Sequence, residues 1–426
     1  MRAYATIGNK NMQVYPIKLS QPMGATLAVL GVKGSLALAH GAVGCSSLTK
    51  IFFTRHFCDP IAIRTTAVSE LAAIFDGGEG IVREAVQNFL PRVRPEVIGL
   101  FSTGLTSAKG DDLKRIANSI NYPIVYAETP DFEGGLESGW AKMAAAFIEQ
   151  VMKPGLNLRP DKVLLMPHVS LHPLEVEGVK DLLAEFGLEV HALPDISDSL
   201  DGHLGINQAS LCQGGIAMDE IKQLGSAGLV ISVGASMLPV AEAFLRKSPQ
   251  ALHINIPGLM GLQATDTFIG QLMRLTGREP GPRVKHWRRR HRDALIDSHF
   301  YIGRKRFILA GEPDRIVDMA AALAEAGGII TAIIASTPGK SLERSVAHRT
   351  LVGDLEDAEG MIDDCDVLIS NYHGERIARR HGKIQVLRGF PILEQIGAQL
   401  KVDTLYDGGT HFLVEVANAI IAGHPH

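Results

Sequence analysis

Ten short runs of apolar and β-branched residues recur along this chain, each set apart from the next by a segment with helical periodicity, and that alternation limits the folds open to it. The runs are Val97 to Ser102, Pro123 to Ala127, Val163 to Pro167, Glu189 to Leu193, Leu229 to Val233, His253 to Ile256, Phe307 to Ala310, Ile329 to Ala335, Val367 to Ser370 and Gln385 to Leu387. Strands that alternate with helices read as parallel sheets with crossover helices on both faces, so the expected class is α/β. Most runs end at or just before Gly, Pro, Ser or Asp, which is where open α/β sheets place ligand-binding loops.

Two seams interrupt the series, Lys153 to Pro160 and the basic stretch that runs on to Lys305. They predict three Rossmann-like lobes with mainly parallel sheets: an N-terminal α/β domain over 1–157, a middle α/β domain over 158–303 and a C-terminal domain over 304–426. In the last, Asp314 is placed to cap a helix that Gly327-Gly328 ends. Its Gly311-Glu312-Pro313 turn is not a GxGxxG fingerprint, so a dinucleotide is not expected.

The net charge is −4 and is spread along the chain, which gives no electrostatic case for nucleic acid or an anionic membrane. The local exception is Lys285-His286-Trp287-Arg288-Arg289-Arg290-His291-Arg292, either a solvated helix face or a clamp for an anion or acidic partner. The four cysteines, at 45, 58, 212 and 365, form no CxxC pair and no secreted-type framework. With no signal-like stretch and no apolar run of the ~20 residues a bilayer requires, a cytoplasmic location is expected. There is no P-loop and no GxSxG elbow, and His168 and His172 lie ahead of Pro173 as a polar loop and helix cap. No side chains show the pairing that general-base or nucleophilic catalysis needs, so no catalytic residue is assigned.

Cys45 is the most informative single residue. It ends His40-Gly41-Ala42-Val43-Gly44-Cys45, with a helix expected behind it from Ser46 to Phe57. Two readings are open from the residues alone. A thiolate at a helix N-terminus, favoured by the dipole and approached closely past Gly41 and Gly44, suits a metal cluster; a small buried hydrophobe at a helix start needs no metal. Cys58, Cys212 and Cys365 read as packed thiols.

Motifs in a fixed order carry a resemblance along nearly the whole chain. They are Pro16 to Ala25, His40 to Cys45, Arg55-His56-Phe57, Thr65-Thr66-Ala67, Phe75-Asp76-Gly77-Gly78, Thr103 to Thr106 with Gly110-Asp111-Asp112, and Thr129 to Gly134 with Gly139-Trp140. Leu193 to Ser197, Ser199 to His203, Gly353 to Asp357 and Gly389-Phe390-Pro391 follow. In this set the chain resembles the nitrogenase component 1-like proteins, and among them the N-type subunit of the scaffold that matures the iron-molybdenum cofactor.

The resemblance implies a division of ligands. Catalytic β subunits of the family use three cysteines toward an eight-iron interfacial cluster; here the first position is Cys45, the second falls on or near Ile63 and the third on Gly104. The implied arrangement is a 4Fe–4S cluster shared with the partner subunit, with Cys45 the metal ligand from this chain. The implied partners are a NifE-type subunit in an α2β2 heterotetramer, an ATP-dependent NifH-type iron protein, a cofactor precursor donor and apo-nitrogenase. The precursor of the iron-molybdenum cofactor is expected mainly on the partner. The helix from Ser46 to Phe57, with Lys50, Arg55 and His56, is the expected iron-protein docking surface or, equally, an intersubunit contact. Ser107 and Ser46-Ser47 depart from the pattern, where Glu and Thr-Ala are usual. They leave open a vanadium-type scaffold or a nitrogenase-like reductase, and composition also permits a metal-free small-molecule-binding α/β protein.

Overall fold

The computed structural model describes residues 6–7, 16–57, 61–69, 78–155, 157–201, 210–393 and 395–423. Cys58, the Phe75-Asp76-Gly77 part of one motif and Gly202-His203 of another lie outside the described residues.

Three sheets account for the strands, and every strand pair in them is parallel. The first has the order β3-β2-β4-β5, with β2 at Ser35–His40, β3 at Ile63–Thr65, β4 at Val97–Ser102 and β5 at Ile124–Ala127. The second is β7-β6-β8-β9, from β6 Arg159–Met166, β7 Glu189–Ala192, β8 Ala227–Val233 and β9 Leu252–Ile256. The third is β1-β12-β11-β10-β13-β14: β1 Thr6–Ile7, β10 Arg306–Gly311, β11 Ile329–Ala335, β12 Arg349–Val352, β13 Val367–Ser370 and β14 Ile384–Leu387. The α/β class expected from the sequence is the class observed. Strands β1, β2, β3 and β12 are additions to it, and β1 reaches from the N-terminal segment to pair with β12.

One apolar core runs continuously through the first two sheets. The third sheet has its own cores, and its strands sort by period two: Phe307 and Leu309 face one, Ile308 and Ala310 the other. The helix Gln21–Leu30, buried at all ten residues, packs against helix Leu136–Val151 at glycine contacts. A Cβ on Gly139 would lie 1.9 Å from the Gln21 carbonyl oxygen, and one on Gly24 2.1 Å from that of Leu136. Trp140, beside Gly139, donates its indole N–H to the Pro167 carbonyl at 2.9 Å and so ties the first sheet's helix to the loop after β6.

Acidic residues on the helix Pro313–Glu325 join the second and third lobes. Asp314 does not cap its own helix as expected from the sequence: Glu312 holds the N-cap position, and the Asp314 carboxylate accepts the Ala235 and Ser236 N–H groups, both at 3.0 Å, at the turn after β8. Gly234 brings that turn in at φ +86°, where a Cβ would sit 2.3 Å from Asp314. One turn on, Asp318 accepts Leu259 and Met260 N–H at 2.7 and 3.0 Å, and Glu325 accepts Leu262 and Gln263 N–H at 2.7 and 2.9 Å. The Asp314 N–H itself donates to Glu137 of the first lobe at 2.8 Å. Arg315, fully buried beside it, pairs with Glu175 at 3.0 Å and Asp403 at 2.7 Å, and Arg388 closes on Asp403 from the other side at 2.7 Å.

Two predictions follow from this packing. Gly139→Ala is expected to destabilise by roughly 1–3 kcal/mol, as overpacking does, whereas Gly44→Ala, whose Cβ meets nothing within 4 Å, shifts stability by at most about 1 kcal/mol toward the fold; urea midpoints of the two variants test the contrast. Burial and the neighbouring Asp314 push Glu312 up to about 8 from its ordinary 4.5, so the fold holds a proton that the unfolded chain releases. That contribution is complete below about pH 4.5 and is lost as pH rises through about 8. Glu312→Gln is therefore expected to flatten the fall of unfolding midpoint across this range, and an unchanged slope would count against the assignment.

Candidate functional site

The first sheet changes winding direction between β2 and β4, whose neighbours β3 and β5 lie on opposite sides, and a ligand site in an open α/β sheet belongs at the carboxyl ends of strands at that point. The loops leaving β2 and β4 are held together there. Thr103 and Thr106 donate their hydroxyls to the His40 carbonyl at 3.0 and 2.7 Å, and Thr103 N–H donates to the same oxygen at 3.2 Å. Gly41 makes this approach possible, since a Cβ on it would lie 2.4 Å from the Thr103 hydroxyl.

Cys45 sits on this edge, exposed. Its helix spans Val43–Phe57 rather than starting at Ser46, which puts the thiol inside the first turn. Ser46, Thr49, Phe53, His56 and Phe57 form the buried face, a spacing of three and four, and turn Val43, Leu48 and Ile51 outward at 56%, 51% and 55% exposure. Leu105 and Phe132 are exposed beside the next two strand ends, and the Asp131 carboxylate accepts the Gly104 N–H at 2.9 Å. The glycines divide their roles differently from the expectation: Gly41 serves the contact between the chain's own loops, while Gly44 faces open space. Nor does the helix start leave the thiol anionic. Partial burial and the Asp131 charge push its pKa up, and the Cys45 N–H is used, donating to Ala42 at 3.3 Å.

The two other positions implied by the resemblance fall where no donor exists. Ile63 is buried in β3, paired with Ala37, and Gly104 lies against Asp131, which a Cβ would meet at 3.0 Å. Cys212 and Cys365 are buried far from this edge: Cys212 donates its thiol to the Leu30 carbonyl at 2.9 Å, and Cys365 packs in the third lobe. Among the described residues no three His, Cys, Asp or Glu side chains converge as a metal site. Cys45 is thus a thiol with no companion donors from the described part of its own chain.

Of the three cations proposed for docking, His56 is excluded. It is fully buried, accepts the Ile392 N–H at 3.2 Å, lies 4.4 Å from the Phe390 ring, and burial with the nearby His172 and Lys401 holds its pKa well below the usual histidine value. Lys50 is half-buried, its pKa lowered by burial and by Arg64, and Arg55 donates to the Leu393 carbonyl at 2.9 Å. Ser46 and Ser47 both donate to the Val43 carbonyl at 3.1 Å, and Ser107 donates to Ser102 at 2.8 Å, so the departures from the family pattern bond locally. The basic stretch lies in helix Pro282–Ile302, with Arg288 forked onto Asp266 at 2.8 and 2.6 Å and His291 turned inward. His172 holds the N-cap position of helix Pro173–Glu185, and its N–H donates to Glu175 at 2.8 Å.

The sequence analysis missed the polar support under this edge. His40 is buried, with Nδ1 2.9 Å from the Thr66 hydroxyl and Nε2 3.1 Å from Asp111, and burial lowers its pKa despite that carboxylate. The signal was present as Thr66 and Asp111 in Thr65-Thr66 and Gly110-Asp111-Asp112, where Asp112 has a local use as the cap of helix Leu113–Ser119.

Residues 20–421 match the family model described as nitrogenase component 1 type oxidoreductase, and the chain belongs to that family. Relatives named nitrogenase iron-molybdenum cofactor biosynthesis protein NifN match it over almost its whole length. That of Bradyrhizobium diazoefficiens is 36% identical over 99% of this chain and 92% of its own, and that of Nostoc sp. is 34% identical over 98% and 96%. The solved structure of nitrogenase Cp1 at pH 6.5 superposes with a TM-score of 0.92 at 26% identity, covering 98% of this chain and 95% of that one.

Alkylation separates the cysteines. Under brief iodoacetamide treatment of the folded chain, peptide mapping is expected to find Cys45 labelled well before Cys212 and Cys365, which are buried and pushed up to about 12 and about 11. Labelling of Cys212 or Cys365 at the rate of Cys45 would contradict the packing described.

Proposed function

We propose that this chain is the N-type half of the scaffold on which the iron-molybdenum cofactor of nitrogenase is assembled, and that Cys45 is its ligand to a 4Fe–4S cluster shared with a NifE-type partner. The observation that carries the reading is an exposed thiol with no companion ligands among the described residues, set on an apolar edge in a chain whose near-full-length relatives are named for that biosynthesis. The residues fit such a group. Cys45 offers one sulfur, the open space beside Gly44 leaves room next to it, and Ile63 and Gly104 offer nothing further to iron. Three thiolates from the partner would complete a four-iron site, and the bound cluster would supply one-electron transfer.

The exposed Val43, Leu48, Ile51, Leu105 and Phe132 support a protein–protein contact around the thiol, because apolar side chains grouped in this way mark interaction surfaces. In this reading they meet the NifE-type chain, two such pairs form the α2β2 heterotetramer, and the cofactor precursor is held mainly by the partner. Lys50 and Arg55 remain the residues proposed toward the iron protein. No helix among the described residues is long and apolar enough to cross a membrane, which is compatible with cytoplasmic assembly.

The test is anaerobic co-purification with the NifE-type subunit, wild type against Cys45→Ala. Loss or marked alteration of the reduced-state 4Fe–4S resonance signal, with lowered iron content and the complex intact, is the expected outcome. An unchanged signal and iron content would make Cys45 structural and remove the shared cluster from the reading.

A further inference from the structure

A cleft of 620 Å³ opens where the three lobes meet, away from the Cys45 edge. Its walls come from helix Leu136–Val151, from Ala235 to Arg246 after β8, and from Thr337 to Ser341 after β11, so each wall follows the carboxyl end of a strand from a different sheet. That is the position in which open α/β sheets bind ligands, and the volume lies within the roughly 300–1,000 Å³ common for small-molecule sites.

The lining has two characters. Ala141, Ala145, Leu238, Pro239 and Pro338 supply apolar wall. Against it stand Lys142, Lys340 and Arg246, with Ser236 and Ser341. Arg246 is paired with Glu149, whereas neither lysine makes a salt bridge among the described residues; Lys142 donates to the Gln21 amide oxygen at 3.0 Å and is attracted to Glu128. Ser341 is 1% exposed, yet its hydroxyl, like that of Ser236, has no hydrogen-bond partner. Neither oxygen has surface open to a water-sized molecule, so both lie behind the cleft wall and out of reach of a ligand in the cleft. Glu149 and Glu242 offset two of the three cations. Burial, with Asp314 and Glu312 close by, pushes the third carboxyl, Glu137, well above the usual carboxylate range. The lining holds no Cys or His, and so offers no soft ligand to a metal cluster.

We propose that this interlobe cleft binds a small organic anion, with its carboxylate or phosphate head between Lys142 and Lys340 and its apolar body against Ala141, Ala145 and Leu238. The site stands apart from Cys45, so it neither requires nor tests the shared-cluster reading. A ligand there touches all three lobes.

The experiment uses the full chain and two probes with the same body and different heads, phenyl phosphate and 3-phenylpropionate, by isothermal titration with saturation-transfer resonance as a second readout. At least one probe is expected to saturate at one per chain, and comparison of the two identifies the head. The double variant Lys142→Glu/Lys340→Glu, both residues exposed and so not needed for folding, is expected to weaken that binding roughly tenfold or more. Ser341→Ala, whose hydroxyl is sealed behind the wall, is the control and is expected to leave binding unchanged. Failure of both probes to saturate at concentrations up to about 1 mM, or saturation that the double lysine variant leaves unchanged, would overturn the proposal.

Discussion

The helix Pro313–Glu325 holds the molecule together, and it does so through carboxylates that bind another lobe's backbone. Asp314, Asp318 and Glu325 each accept two N–H groups from turns of the middle lobe. These bonds satisfy donors that would otherwise be stranded at the starts of helices, and burial pushes the Asp318 carboxyl up to about 7 even so. Asp314 and Asp318 are buried while Glu325 is exposed, and a buried ion network lies beside them: Arg315 between Glu175 and Asp403, and Arg388 between Asp403 and Glu415. A junction of this kind breaks badly when one member is removed, because the remaining charge is left buried and unpaired.

The same junction sets the position of the Cys45 edge. The helix that starts at Val43 is seated at its far end on the third lobe, where Phe53, His56 and Phe57 pack on Phe390 and the Ile392 N–H donates to His56. Its near end is fixed by the first sheet, through the threonine hydroxyls on the His40 carbonyl. A side chain anchored at both ends of its helix is presented in one orientation, which a ligand to a shared cluster must be. The apolar residues on its open face, exposed rather than in a core, are the surface proposed for the partner.

Much of this was legible in the sequence, and the failures have physical causes. The ten strands found by pattern are Val- and Ile-rich. The strand that carries the site, Ser-Leu-Ala-Leu-Ala-His at 35–40, was missed because Leu and Ala favour helix in isolation; burial on both faces of a parallel sheet overrides that preference. Cys45 stands out at a helix start from the residues alone, and the resemblance chooses between its two readings; the burial and the Asp131 charge that push its pKa up cannot be read from local spacing. Asp314 was read as a cap on its own helix, the commonest use of Asp before a helical run. Only the fold shows that it caps a turn 78 residues away in sequence. His56 looked like a surface cation in a basic motif and proved to be a contact between lobes, separated from Ile392 by 336 positions.

Hydrogen exchange on this chain, alone and bound to a NifE-type subunit, tests most directly whether the lobes present Cys45 to a partner. Slowed exchange in the complex over residues 43–52, 104–107 and 131–133, with the buried strands β2 and β4 unchanged, is the result the account predicts. A stable complex in which these three segments exchange as they do in the free chain would place the partner elsewhere and leave the exposed thiol without its proposed role.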